Sequence, residues 1–162
     1  MIKKILTLTL IIFASSCGFK PMLKNYSNEK IIFKKITYSG INELTYLLQG
    51  FLNLAEDPKT NKLVINLAID ENQSSTKKNS AGITIEESLT ISVSYNIQRI
   101  EKDGSYKTIM NESIQETKVL LVTNSFGSDE TQKRIEKNQM IKNLSQKMKF
   151  KLLLVSQKSN DF

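Results

Sequence analysis

Residues 89–98 read LTISVSYNIQ, and this stretch decides the fold. Its odd-numbered positions are apolar, and its even-numbered positions are polar. Successive side chains of a β-strand point to opposite faces of the sheet, so the pattern predicts a strand with one face in the core and the other in water. Asp103-Gly104 follows and favours a tight hairpin turn. The segment 106–122 is then the predicted antiparallel partner, with a bulge near 116–119 where its alternation slips.

A strand and a helix precede this hairpin in the sequence. The β-rich run over 31–38 predicts a first strand that ends at the turn residues Ser39-Gly40. From Asn42, a good N-cap residue, leucines and a phenylalanine recur at helical spacing. This first helix is predicted to end near Glu56, because Pro58 cannot continue it.

The remaining elements are one strand and one long helix. The apolar run 63–69 predicts a strand, and the polar stretch 70–82 is predicted to be a long loop. Ser128 or Asp129 can cap a final helix that runs to about Gln157. The spacing of the apolar residues in that helix puts the following on one face: Ile141, Leu144, Met148, Leu152 and Val155.

The order of the elements is β-α-β-β-β-α. Each helix has a single apolar stripe and the strands have mostly one apolar face. These patterns predict an α+β fold, a two-layer α/β sandwich in which two helices pack on one face of a four-stranded mixed sheet. The other sheet face is left polar and the sheet keeps two open edges, which a stable protein must shield or give to a partner. A docking protein is therefore favoured over an enzyme.

The composition of the 162 residues excludes most catalytic chemistry. There are 23 Lys+Arg against 16 Asp+Glu, a formal charge of +7, with no histidine and a single cysteine. Zinc clusters, Ser-His-Asp and Cys-His catalysis and internal disulfides are thus disfavoured, and we expect neither metal nor cofactor. Ser74-Ser75-Thr76-Lys77 fits the Ser-x-x-Lys motif, but the companion motifs Ser-Asp-Asn and Lys-Thr-Gly are missing from the sequence. The chain is predicted not to be an enzyme.

The first residues differ in character from the rest of the chain. Residues 1–16 have a short basic start, an apolar run over 5–14 and small residues just before Cys17, as in a secretory signal peptide. The position of Cys17 is typical of a bacterial lipoprotein processing site, so its thiol is predicted to be acylated. Residues 17–30 have no apolar periodicity and suit a tether, and residues 31–158 are predicted to form one domain.

The opening of the processed chain carries a family resemblance. Cys17-Gly18-Phe19-Lys20-Pro21-Met22 resembles the mature start of α-proteobacterial members of the LptE family of lipopolysaccharide-assembly lipoproteins, in which a Cys-Gly-Phe-x-Pro-Leu opening recurs. Met22 replaces the usual leucine. The element order and the terminal helix are also similar. The resemblance implies a lipoprotein anchored on the periplasmic side of the outer membrane, inserted as a plug in the barrel protein LptD and helping to deliver lipopolysaccharide to the cell surface.

The charge of the processed chain fits such partners. Residues 17–162 keep 21 basic and 16 acidic side chains, a net charge of +5, and contain no nucleic-acid-binding motif. Lipid phosphate or sugar acid is therefore the expected polyanion, and we expect no nucleic acid as a partner. Two groups of basic residues are candidates for lipopolysaccharide contact: Arg99, Lys102 and Lys107 at the hairpin tip, and Lys77 and Lys78 in the predicted loop. Neighbouring acids offer the alternative that these bases are locally paired or solvated.

A second kind of function stays open on the sequence alone. Another lipid-anchored adaptor, such as an auxiliary lipoprotein of a lipid transporter or a barrel-assembly accessory, would share the signal peptide and the fold. The copurifying partner distinguishes these alternatives.

Overall fold

The computed structural model describes residues 30–59, 61–123 and 125–160. The predictions made for residues 1–29, including the signal peptide and Cys17, lie outside these residues. In chain order the elements are β1 (Ile32–Phe33), β2 (Lys35–Gly40), α1 (Asn42–Leu52), β3 (Ala55–Glu56), β4 (Leu63–Lys78), β5 (Thr84–Ile100), β6 (Tyr106–Leu121) and α2 (Phe126–Asn160).

A mixed sheet in the order β2-β4-β5-β6 organises the domain. β2 runs parallel to β4, whereas β4, β5 and β6 are antiparallel neighbours. Both helices contribute to the same hydrophobic core as the inner face of this sheet. The predicted α+β fold, with two helices on a four-stranded mixed sheet, is confirmed. β1 and β3 add a short parallel pair that the sequence does not predict.

The alternation of residues 89–98 has the predicted outcome. The even-numbered side chains lie on the outer face. The inner side chains are at most 1% exposed, and these are Leu89, Ile91, Val93, Tyr95 and Ile97. Burying each such side chain stabilises the fold by about 1.5–3 kcal/mol relative to leaving it exposed. Leu44, Leu48 and Leu52 of α1 pack onto the same core. β5 is therefore the central strand of the hydrophobic core.

The first helix differs from its prediction at both ends. Asn42 is the first helical residue and not the cap, since the N-cap position belongs to Ile41, which makes no side-chain capping hydrogen bond. The helix ends at Leu52 and not near Glu56, because Asn53 adopts the left-handed conformation (φ 49°) and its N–H donates to the Gln49 carbonyl. A left-handed residue of this kind is a common helix terminator. The chain is thereby free to form β3.

The predicted first strand is interrupted. Residues 31–38 do not form one strand, because β1 pairs with β3 and β2 pairs with β4. Lys34, between β1 and β2, donates its N–H to the Leu63 carbonyl at 2.7 Å. The single β-rich run in the sequence therefore forms two strands, one paired with β3 and the other with β4.

The polar stretch 70–82 is mostly strand, and the predicted loop is wrong. β4 continues through Lys78 and pairs with β5 along its whole length, with a register shift around Thr76. Only a short turn remains, in which the Asn79 carboxamide oxygen accepts the N–H groups of Ala81 and Ile83 at 3.0 Å. The two long strands thus form a hairpin that extends well beyond β2.

The second hairpin is confirmed at Asp103-Gly104. Gly104 has φ +83°, and the Glu101 N–H donates to the Ser105 carbonyl at 2.9 Å. The bulge in β6 is not near 116–119. Its register shift lies where Ile97 pairs with Met110 and Gln98 pairs with Thr108, which leaves Ile109 as the extra residue.

The final helix is longer than predicted. It begins at Phe126, so neither Ser128 nor Asp129 is its cap, and it runs to Asn160. The Asp129 carboxylate instead accepts the Oγ1–H of Thr123 at 2.7 Å and its N–H at 3.1 Å. The predicted apolar stripe is buried: Ile141, Leu144, Met148, Leu152 and Val155 are all at most 8% exposed. No helix within the described ranges has the length and apolar character needed to cross a bilayer.

Candidate functional site

The outer face of the sheet carries mostly neutral polar side chains. The strand registers place on it a field of short neutral polar side chains, with both helices on the opposite side. These residues are Thr37, Ser39, Asn66, Asn72, Ser74, Ser88, Thr90, Ser92, Ser94, Asn96, Gln98, Thr108, Asn111, Ser113, Gln115 and Thr117. We call this surface the neutral face. Part of its hydrogen bonding is internal, since Thr90 and Thr117 join their hydroxyls at 2.9 Å.

Charged side chains reach the neutral face only at its margins within β2, β4, β5 and β6. Lys35 lies at the start of β2, and Asp70 lies on β4 just past the last residue paired with β2. Lys77 and Glu86 are paired with each other at the far end, with nitrogen and oxygen 3.4 Å apart. The centre of the face therefore offers donors and acceptors without net charge.

The inner face is held to α2 by ion pairs wherever its apolar residues end. Lys137 lies 2.8 Å from Glu71 and Lys133 lies 2.9 Å from Glu87. The bond to Glu87 raises the pKa of Lys133. Three further pairs join α2 to β6: Lys118 with Glu136, Lys147 with Glu116, and Lys151 with Glu112. These lysines are committed to carboxylates within the domain, and α2 does not present them as a free cationic row.

A buried tyrosine shares one of these carboxylates. Tyr95 is 1% exposed, and its hydroxyl donates to Glu112 at 2.7 Å, where Lys151 also donates. The bonds from Lys151 and Tyr95 lower the pKa of Glu112, while burial and then the bond to Glu112 raise the pKa of Tyr95. Both groups keep their resting protonation state near neutral pH. This trio is suited to holding α2 on the sheet and not to exchanging protons.

The five predicted basic residues lie at two opposite ends of the sheet. Arg99 and Lys107 are cross-strand neighbours beside the 101–105 turn, which contains Lys102, whereas Lys77 and Lys78 pair with the opposite end of β5. The 13 residue steps of β5 from Glu86 to Arg99 span roughly 43 Å. The two groups cannot contact one ligand headgroup together.

Two of these residues are already paired. The Arg99 guanidinium donates to Glu101 through Nε at 3.1 Å and Nη2 at 2.9 Å, and Lys77 faces Glu86. The local pairing that the sequence left open is thus observed for both. The Ser74–Lys77 tetrapeptide lies in β4, with the Lys77 ammonium directed to Glu86.

Further lysines gather at the Arg99 end that sequence reasoning missed. Ile100 donates its N–H to the Lys62 carbonyl at 3.0 Å, which places the start of β4 beside the end of β5. Lys34 and Lys35 lie at the adjoining start of β2, and Lys59 precedes β4 in the same connection. This cluster cannot be recognised as a motif in the sequence, because its lysines come from separate segments of the chain. Within the described part of the chain, no group of three or more potential metal ligands occurs.

Comparison with known proteins gives a fold and no sequence family. The sequence matches no protein-family model and no curated protein. Rare lipoprotein B from Shewanella oneidensis matches with a TM-score of 0.57 and 13% identity, over 79% of this chain and 99% of that one. Uncharacterized lipoprotein B from Nitrosomonas europaea matches with a TM-score of 0.53 and 11% identity, over 81% and 89%. The chain has the lipoprotein B fold.

Proposed function

We propose that this chain is an outer-membrane lipoprotein that seats its neutral face against the lumen of an LptD-like β-barrel and assists lipopolysaccharide assembly at the cell surface. Three observations support the proposal. The fold is that of two proteins named lipoprotein B. The Cys17–Met22 opening resembles that of the LptE family. The neutral face is the observation that supports a β-barrel as the partner.

The chemistry of the neutral face suits a barrel lumen. The interiors of outer-membrane barrels are polar, so a body inserted there needs groups that hydrogen-bond to many partners. Hydroxyls and carboxamides can donate and accept, and burying them costs far less than burying unpaired charge. Ser94, at the centre of β5, is exposed and has Ala68 and Ser113 as its cross-strand neighbours. The residues directly opposite Ser94 are uncharged, and Asp70, which pairs with Ser92, is the charged side chain diagonal to it.

The anchor supplies the local concentration that such a contact needs. Acylation of Cys17 with several fatty chains, at about 0.8 kcal/mol per buried CH₂, makes attachment to the periplasmic side of the outer membrane effectively permanent. The domain then works as a non-catalytic partner of the barrel.

Affinity purification of the full lipidated chain tests the partner. We expect one large outer-membrane barrel to be recovered. Ser94→Arg places a charge at the centre of the neutral face and should lower that recovery at least tenfold. Gln146→Arg, at an exposed position of α2, is the matched control and should leave recovery unchanged.

The same experiment separates the alternatives. Recovery of inner-membrane transporter subunits would identify an auxiliary lipoprotein of a lipid transporter and refute the barrel partner. Depletion of the protein should lower surface lipopolysaccharide while other barrels persist, and a general loss of barrel proteins would identify a barrel-assembly accessory instead.

A further inference from the structure

One end of the domain carries nearly all of its excess positive charge. We define the basic end as residues 30–35, 56–59, 61–62 and 99–107, which the β1–β3 pairing and the Lys34 and Ile100 backbone bonds bring together. It contains eight basic side chains against four acidic ones, which leaves +4: Lys30, Lys34, Lys35, Lys59, Lys62, Arg99, Lys102 and Lys107 against Glu56, Asp57, Glu101 and Asp103. The whole processed chain has a net charge of only +5.

The lysines of the basic end differ in their partners from six lysines of β4, β6 and α2. Six lysines of β4, β6 and α2 lie within 4.0 Å of carboxylates of the domain. Among the described residues, no lysine of the basic end lies within that distance of a carboxylate. Their positive charge is therefore available to an external anion.

The acids at this end are engaged with their own loops. Glu56 accepts the Ile36 N–H at 2.6 Å, and Glu101 binds Arg99. Asp103 accepts both the N–H and the hydroxyl of Ser105 at 2.9 and 2.6 Å, and these bonds lower its pKa. These carboxylates are hydrogen-bonded within their own loops, and their charges are already subtracted in the net charge of +4.

The described part of the chain begins at the same end, with Lys30. Residues 17–29 lead directly to Lys30, and thirteen residues reach at most about 45 Å when fully extended. Tyr106, 61% exposed, and the bulge residue Ile109, 41% exposed, flank Lys107. Tyrosine beside lysine is typical of residues that lie at the headgroup level of a membrane.

We infer that the basic end is a platform that rests on an anionic phospholipid surface and orients the domain with its strands away from the membrane. The inference uses the Cys17 anchor of the proposed function, but it describes the domain on lipid before any barrel is engaged. Each lysine within a Debye length of such a surface strengthens the interaction roughly fivefold, and added salt weakens it. The lysines set the orientation of the domain on the membrane, and the acyl chains attach it there.

The sole cysteine makes the orientation measurable. Once Cys17 is acylated, Ser105→Cys at the basic end and Ser80→Cys in the opposite turn each introduce the only free thiol. Each full-length lipidated variant is labelled with a fluorophore and reconstituted in vesicles of phosphatidylethanolamine and phosphatidylglycerol, roughly 3:1, that contain headgroup-quencher lipid. We expect the label at position 105 to be quenched at least threefold more than the label at position 80.

Charge reversal tests the cause of that difference. Lys102→Glu with Lys107→Glu, or 0.5 M salt, should bring the quenching at position 105 close to that at position 80. The matched reversal Lys77→Glu with Lys78→Glu, at the opposite end, should leave it unchanged. Equal quenching at the two positions, or a difference that survives reversal at the basic end, overturns the platform.

Two further arms distinguish binding to anionic phospholipid from binding to lipopolysaccharide and from attachment by the acyl chains alone. Phosphatidylcholine vesicles should remove the difference between the labels. A difference that arises only in vesicles containing lipopolysaccharide assigns the lysines to that lipid and refutes the phospholipid platform. Intact mass reports the anchor separately: acylated protein with equal quenching refutes the platform alone, whereas unacylated protein refutes the anchor. If the protein is unacylated and the platform is correct, the protein must still cosediment more with vesicles containing phosphatidylglycerol than with phosphatidylcholine vesicles.

Discussion

Gly40 is the position at which a single methyl group should do the most damage. It ends β2 with φ +110°, where side chains are rarely tolerated, and it pairs with Ile69 of β4. A Cβ added there would lie 2.0 Å from the Ile69 carbonyl oxygen, which is backbone and cannot rotate away. Gly40→Ala therefore combines a strained backbone with a clash in the β2–β4 ladder.

Two other glycines separate these contributions. Gly82 has φ +79° with no atom within 4 Å of an added Cβ, so Gly82→Ala should cost only the left-handed strain of about 1–2 kcal/mol. Gly50, exposed in α1 with equal space around it, should stabilise the protein by about 0.5–1 kcal/mol when replaced by alanine. Gly40→Ala adds loss of the six-residue β2–β4 register to its strain and should exceed about 3 kcal/mol.

Urea unfolding followed by far-ultraviolet circular dichroism measures the series. The midpoints should fall in the order Gly50→Ala, unchanged protein, Gly82→Ala, Gly40→Ala, with Gly40→Ala unfolded or far the least stable. A Gly40→Ala protein within about 0.5 kcal/mol of Gly82→Ala would refute the close approach of β2 and β4 at this point.

Three further predictions concern the inner face. Leu144→Ala, at a fully buried position, should cost about 2–5 kcal/mol in urea unfolding, whereas Leu154→Ala, 48% exposed, should cost under about 1 kcal/mol; equal costs would contradict the assigned face of α2. Tyr95→Phe removes the bond to Glu112 and should cost about 1–2 kcal/mol, a loss that shrinks in a Glu112→Gln background if the bond is its cause. The pKa of Glu112 in the folded protein lies below the ordinary 4.5, so its contribution to stability is complete above about pH 5 and is lost as the pH falls through the folded pKa. Urea unfolding midpoints measured from pH 7 to pH 3 should show this loss. Glu112→Gln should make the loss smaller.

The sequence predicts those elements whose burial is continuous. Residues 89–98 alternate because the helices cover the whole inner face of β5 at that height. The stretch 70–78 escapes prediction because its inner-face positions are polar, although its first residues pair with residues 89–92 of β5. There Glu71 of the inner face meets Lys137 and not an apolar neighbour, while Asn72 of the outer face meets water. Both faces are polar, so no period-two pattern signals the strand.

The candidate surfaces depend on information that a single sequence does not hold. The neutral face is predictable in one strand, from the row Thr90 to Gln98, but its width arises from registers that place Asn66 and Ser113 beside it. The basic end is predictable only at Arg99, Lys102 and Lys107. Lys62 joins them through a backbone bond between the ends of two strands, a contact that the topology alone creates.

The length of β5 has a geometric consequence. Its 17 residues span roughly 53 Å, more than the 40–45 Å thickness of a bilayer with its headgroups. A domain that stands upright on its basic end therefore holds the Ser80 turn farther from the lipid surface than the membrane itself is thick. Because hydrogen-bonded ladders run between the two turns, the length of the strands sets their separation. The same ladders of backbone hydrogen bonds that stabilise the two hairpins therefore also set how far the domain extends from the membrane.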